Sequence, residues 1–229
     1  MKRNKTYLFF FAVSVIMQRS LFKAAKIETP FPFLFGLPES LFSNSQFFMF
    51  ELYLIIPVIF FLLYFNSGMI NSLKGYKTLL VIRETSKYKI YFKEFMLWIF
   101  KIMSAFIFQS VFYWNTINEY KPETVFKAAL IYCLGLLLLI QIQNFLEYYT
   151  EAGIAYIITV LLLCISYSVV CLSDKILIKQ LFITGFMFGE NNGAVNNNAL
   201  YIQLLIEYFF FNIIAAFVSV KIFTRKDIY

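Results

Sequence analysis

Histidine is missing from all 229 residues of this chain. Its absence removes Ser–His and Cys–His nucleophilic catalysis, histidine-ligated zinc and histidine proton relays. Cysteine is scarce, and Cys133, Cys164 and Cys171 all fall inside apolar stretches without Cys-x-x-Cys spacing. They read as small packing residues rather than a disulfide framework or a metal site. No GxxxxGK[ST] phosphate loop occurs, so the chain does not hydrolyse ATP by that route. No nucleophile–base constellation stands out, and the reading is of a non-enzyme without a cofactor. Charge is scarce too. Only 14% of residues are Asp, Glu, Lys or Arg, against about a quarter in soluble domains.

Apolar residues take the place of charge. Hydrophobic types make up 61% of the chain and phenylalanine alone contributes 30 residues. Several runs approach the ~20 residues that cross a ~30 Å hydrocarbon core. The sequence therefore predicts an all-α polytopic membrane protein, a single transmembrane domain over residues 1–229. Its six transmembrane helices fall at about 7–24, 47–65, 95–114, 126–145, 153–173 and 200–223. No alternation of the kind that closes a barrel appears. The first span opens with "MKRNKTYLFFF", which has the basic start and short apolar core of a signal peptide. No small-x-small cleavage site follows the core, so the segment is expected to be retained, with Arg19 and Lys23 snorkelling to the interface.

The net charge of +7 does not form a nucleic-acid stripe, and no nucleic-acid partner is expected. The basic residues cluster at the ends of spans. With the N-terminus inside, the inner segments carry eleven: Lys2, Arg3, Lys5, Lys74, Lys77, Arg83, Lys87, Lys89, Lys93, Arg225 and Lys226. The outer segments carry four: Lys26, Lys121, Lys175 and Lys179. Cytoplasmic loops are the basic ones, so both termini are expected to be cytoplasmic.

Within the spans, Glu51, Lys101, Gln109, Gln141, Gln143, Glu207 and Asn212 interrupt the apolar runs. An ionisable group at mid-bilayer costs roughly 2.5–3.5 kcal/mol, so such groups face protein or water. Lys101 and Glu207 are the deepest charges. They read either as part of a substrate path or, slightly favoured, as a charge pair or subunit contact. Glu51 is expected to reach the interface, and Glu147 and Glu151 read as solvated loop carboxylates. Pro57 is expected to kink the second span.

Two connecting segments are distinctive. "ILIKQLFITGFMF" (176–188) is apolar but too short to cross, which suits an extracellular interfacial or re-entrant helix. "ETPFPFLFGLPES" mixes prolines, Gly36 and aromatics and suits a structured cap on the outer face. On the inner side, residues 74–94 recur as apolar positions at helical spacing with basic residues between them. Contact with anionic lipid explains the charge at ~1 kcal/mol per basic residue near the surface. It does not explain the polar knot Arg83, Glu84, Thr85, Ser86 and Lys87, which fits a turn presented to a partner.

With this layout the chain resembles the membrane subunits of ABC-2-type transporters, in particular the small six-span permeases of bacteriocin and lantibiotic export or self-immunity. The resemblance rests on the six spans, on "YKTLLVIRETSKYKIYFKEF" between spans two and three, and on the ending "IFTRKDIY". It implies a bacterial plasma-membrane location, a separate ABC-type ATPase docking on residues 83–87, and a second permease subunit of the same or another kind. The implied cargo is a hydrophobic peptide or a lipid-like molecule. The alternative reading is a non-transporting immunity or scaffold protein.

Overall fold

The computed structural model describes residues 2–25, 32–38, 41, 46–65, 87–113, 121–173, 182–188 and 196–225. Among them are α1 (Lys2–Ala24), α2 (Pro32–Phe35), α3 (Phe47–Phe65), α4 (Lys87–Phe112), α5 (Pro122–Glu147), α6 (Ala152–Leu172), a 3-10 turn (Ile183–Met187) and α7 (Asn198–Arg225). No strand occurs among the described residues. Six of the helices are long and apolar enough to cross a membrane: α1, α3, α4, α5, α6 and α7. The chain is an all-helical, multi-pass membrane protein.

Helix α5 is the axis of the bundle. It is buried on nearly every side from Gly135 to Gln141 and packs against α2, α3, α4, α6, α7 and the 3-10 turn. A helix apolar all round belongs in an interior, and this one begins at Pro122, whose missing N–H costs nothing in the first turn. Helix α7 starts where Asn197 Oδ1 accepts the N–H groups of Ala199 and Leu200, at 3.0 and 3.3 Å. An asparagine in that place satisfies otherwise orphaned donors. Lys127 ties the starts of α5 and α7 together. It donates to Asn198 Oδ1 at 2.8 Å, pairs with Glu123 at 2.6 Å, and lies over the Tyr201 ring.

Helices α1 and α3 form a second pair, joined at Pro57. Pro57 has no N–H to give the Tyr53 carbonyl one turn back. Gln18 of α1 supplies the donor instead, its Nε2 reaching Tyr53 O at 3.3 Å and Leu54 O at 2.8 Å. Its Oε1 accepts the Tyr113 hydroxyl at 3.0 Å, just past the end of α4. Arg19 is exposed near the end of α1. Its guanidinium donates to the Phe112 carbonyl in the last turn of α4, where cations favour the helix end.

Two short elements insert among the helices at the face where α1, α4 and α6 end. Residues 33–35 and Leu37 are essentially inaccessible, and Gly36 turns the chain with φ 74°. The Phe33 ring packs on Tyr113 and Tyr132, both at 5.5 Å, and the Leu37 N–H donates to Tyr167 Oη at 3.0 Å. The 3-10 turn goes deeper, wedging between α5 and α6. It meets α5 at Gly135, about 20 Å along that helix at 1.5 Å per residue. Non-helical backbone survives at such depth only when protein covers it, and Thr184, Met187 and Phe188 are all buried.

The wedge depends on two glycines. A Cβ on Gly185 would sit 2.3 Å from the Ser166 carbonyl oxygen, and one on Gly135 would sit 2.6 Å from Met187 Cβ. Gly135→Ala is therefore expected to push the turn outward and cost roughly 1–3 kcal/mol, the usual range for overpacking. A lowered thermal midpoint in detergent would report it. An unchanged midpoint would mean that the turn does not pack this closely.

Candidate functional site

The polar residues that interrupt the spans are mostly drawn inward. Gln141, Gln143, Asn144 and Glu147 lie along α5 and all are buried. Gln143 Nε2 donates to Glu147 Oε1 at 3.3 Å, and Asn144 Nδ2 to the Ile140 carbonyl at 2.8 Å. Glu147 is thus not a solvated loop carboxylate. Glu151, four residues on, is exposed as expected. Beyond the end of α5, burial holds the Tyr148 phenol well above its ordinary pKa, with Tyr91 and Glu147 nearby adding to the effect.

Gln141 is the centre of the arrangement. Its Nε2 donates to Asn212 Oδ1 of α7 at 3.0 Å. Asn212 Nδ2 donates in turn to the backbone carbonyls of Tyr208, at 2.8 Å, and Leu134, at 3.2 Å. This seam stitches α5 to α7 across a dry interface, where such bonds contribute up to about 1–2 kcal/mol. A cleft runs along each side of it. One, of about 420 Å³, has α5 as its floor (Leu138, Gln141), α6 and α7 as its walls (Leu162, Phe211), and Thr184 of the 3-10 turn at one end. The other, of about 490 Å³, lies between α4, α5 and α7 and is apolar except for Asn212.

A further polar pair joins α3 to α6. Ser168 Oγ lies 3.0 and 2.9 Å from the two carboxylate oxygens of Glu51, whose side chain is 3% exposed. Glu51 therefore does not reach out to the interface. It sits in a groove shared with Phe48, Leu52, Cys164 and Ile165.

The two deepest charges are not brought together. The Lys101 ammonium lies 4.7 and 5.1 Å from the ring centroids of Tyr64 and Phe65, at the C-terminal end of α3. Ring faces and helix C-termini both attract a cation. Glu207 lies nearer the opposite end of the bundle and accepts a hydrogen bond from Gln203 Nε2 at 2.9 Å, one turn back on α7. Arg83, Glu84, Thr85 and Ser86 lie outside the described residues, as do the side chain of Lys87 and residues 176–181. Lys87 itself opens α4.

No group of three or more potential metal ligands occurs among the described residues. The polar groups among the described residues bond between helices, as Gln141–Asn212 and Glu51–Ser168 do, or one turn along their own helix, as Gln143–Glu147 and Gln203–Glu207 do. Sequence reasoning had noted Gln141 and Asn212 without joining them, because only their depth at two distant places in the chain links them. Gln18 escaped notice altogether.

No curated protein and no solved structure matches the chain. A family model described as a protein of unknown function, DUF2705, matches residues 11–229. The chain belongs to the DUF2705 family.

Proposed function

We propose that the chain is the membrane-spanning permease subunit of an ATP-binding cassette transporter of ABC-2 type, moving a hydrophobic peptide or lipid-like cargo in a bacterial plasma membrane. The observation that carries the reading is the contrast between a close-packed interior around α5 and two apolar clefts flanking α7. Such a bundle suits a transport path formed against a second permease subunit rather than through one chain. The depth of the 3-10 turn and the resemblance of the basic stretch between α3 and α4 support the same reading. Energy comes from a separate ATPase, and Arg83 and Glu84 are the residues proposed to engage it.

The test is co-purification of the tagged chain with a phosphate-loop ATPase encoded beside it, together with ATPase activity in proteoliposomes. Arg83→Glu is expected to lower ATPase recovery at least tenfold, since breaking one partner of a buried charged contact costs roughly 2–5 kcal/mol. Lys77→Glu, a membrane-surface charge, should change recovery little at ~1 kcal/mol. Membrane insertion should be unaltered in both. A chain that binds no ATPase, or an Arg83→Glu, Glu84→Lys variant that still couples normally, would overturn the reading and favour the immunity or scaffold role.

A further inference from the structure

A separate cleft, of about 350 Å³, lies between α1, α3 and α4, and its lining is graded from end to end. Leu8, Tyr64 and Lys101 stand at one end. At the other, the rings of Phe61 and Phe108 close on Phe11, with centroids 5.6 and 6.0 Å away. Lys101 and Phe108 are about 10 Å apart along α4. The lining residues include this one cation and no carboxylate, and apart from Lys101, Tyr64 and Ser104 the walls are apolar.

The ammonium stands at a definite level of the bilayer. It lies over the rings of Tyr64 and Phe65, the last two residues of α3. That helix has 19 residues and is about 28 Å long, close to the ~30 Å of a hydrocarbon core. The end of α3 therefore marks the edge of the hydrocarbon, and the lysine stem carries its charge there from the middle of α4. The backbone of α1 runs on past Leu8 for less than two turns through Lys5, Arg3 and Lys2, which places a basic stretch of sequence at the same end. Access is lateral. Helix α1 packs along α3 and barely on α4, Lys101 is only half-buried, and Leu8, Phe100 and Ser104 at the rim are exposed.

We infer that this cleft binds a single-chain anionic amphiphile, with a phosphate or carboxylate oxygen on Lys101 Nζ and the acyl chain against Phe61, Phe100 and Phe108. Charge at the membrane edge and rings toward its middle match the two ends of such a molecule, and basic pockets between transmembrane helices take anionic head groups. The volume lies at the low end for small-molecule sites, which suits one chain. A neutral lipid would gain nothing from the ammonium, and a peptide backbone would find too few hydrogen-bond partners in these walls. The inference holds whether or not the chain transports anything, because occupancy requires neither an ATPase nor a second subunit.

The experiment uses the full chain in nanodiscs of neutral phosphatidylcholine with a photoactivatable, diazirine-bearing long-chain alkyl phosphate. Hexadecyl phosphate, palmitate, cetyl alcohol and inorganic phosphate serve as unlabelled competitors. Adducts are expected on cleft residues such as Phe61, Phe100 and Phe108. At least one of the two anionic amphiphiles is expected to compete about tenfold more strongly than cetyl alcohol, the factor that one hydrogen bond to a charged group produces. Hexadecyl phosphate ahead of palmitate identifies a phospholipid-type headgroup, and the reverse order a fatty acid; both support the inference. Lys101→Met should bring the anions level with the alcohol, Lys101→Arg should keep the preference, and Ala12→Phe, which fills the cleft, should suppress the adducts. Should Lys101→Met fail to fold, the wild-type ratio of anion to alcohol decides alone. The inference is overturned by a ratio near one, by a preference that survives Lys101→Met, or by adducts spread over the lipid-facing side of α4 at Ile107 and Val111. It is overturned equally if inorganic phosphate alone displaces the probe as well as hexadecyl phosphate does, or if an acidic peptide displaces it while neither anionic amphiphile does.

Discussion

Replacing Gln18 with leucine is expected to destabilise the bundle by about 2 kcal/mol, because it removes three hydrogen bonds that tie α1 to α3 and to the residue after α4. The Tyr53 and Leu54 carbonyls lose the Gln18 amide, and the Tyr113 hydroxyl loses its acceptor. The Leu54 carbonyl keeps the helical N–H of Val58, whereas the Tyr53 carbonyl faces Pro57 and has no helical donor to fall back on, at roughly 1–3 kcal/mol for an unsatisfied buried group. Pro57 makes the effect specific. With alanine at position 57 the helix regains an N–H for the Tyr53 carbonyl, so Gln18→Leu should cost less in a Pro57→Ala background. A double-mutant cycle read by denaturation in detergent is expected to give a coupling of about 1 kcal/mol, within the range for groups sharing one network. Equal costs in both backgrounds would mean that Gln18 merely fills space between α1 and α3.

The six spans were legible because hydrocarbon thickness imposes a length that composition alone can meet. Their ends were not. Helix α4 starts at Lys87 rather than near residue 95, and α5 at Pro122 rather than near 126. Charged side chains continue a helix readily once they leave the hydrocarbon, so the end of an apolar run is not the end of the helix. The short elements between the long helices were half legible. The shortness of "ILIKQLFITGFMF" pointed away from a crossing, but nothing local announced that Gly135 and Gly185 make room for a backbone wedge. The candidate site was least legible. Gln141 and Asn212 were visible as polar residues in spans, yet their pairing rests on α5 and α7 packing side by side. Pro57 was visible as a missing backbone donor, while the residue that answers it, Gln18, stands on a different helix. Glu51 and Glu147 were misjudged for one reason: a carboxylate near the end of a span was assumed to find water, and each finds a hydrogen-bonding neighbour on an adjoining helix or one turn away instead.

Glu51 leads to the second large effect. Ser168 is its hydrogen-bond partner among the described residues, and one hydroxyl hydrogen serves a carboxyl group with several acceptor sites. Removing that donor by Ser168→Ala leaves the group buried in a groove otherwise lined by Phe48, Leu52, Cys164, Ile165 and Val169. The expected cost is about 3 kcal/mol, at the upper end for an unsatisfied buried group because the acceptor is a carboxyl. Removing both members should be far milder. Glu51→Leu with Ser168→Ala replaces a polar contact by an apolar one of similar bulk, a change that is often neutral or stabilising in a dry interior. The ordering of the three variants is therefore the measurement: Ser168→Ala lowest in thermal midpoint, with wild type and the double variant close together above it. If the double variant proves as unstable as Ser168→Ala, the pair contributes a specific link between α3 and α6 that apolar packing cannot replace. That result would mark the Glu51–Ser168 contact as a required joint of the bundle rather than a tolerated polar pair.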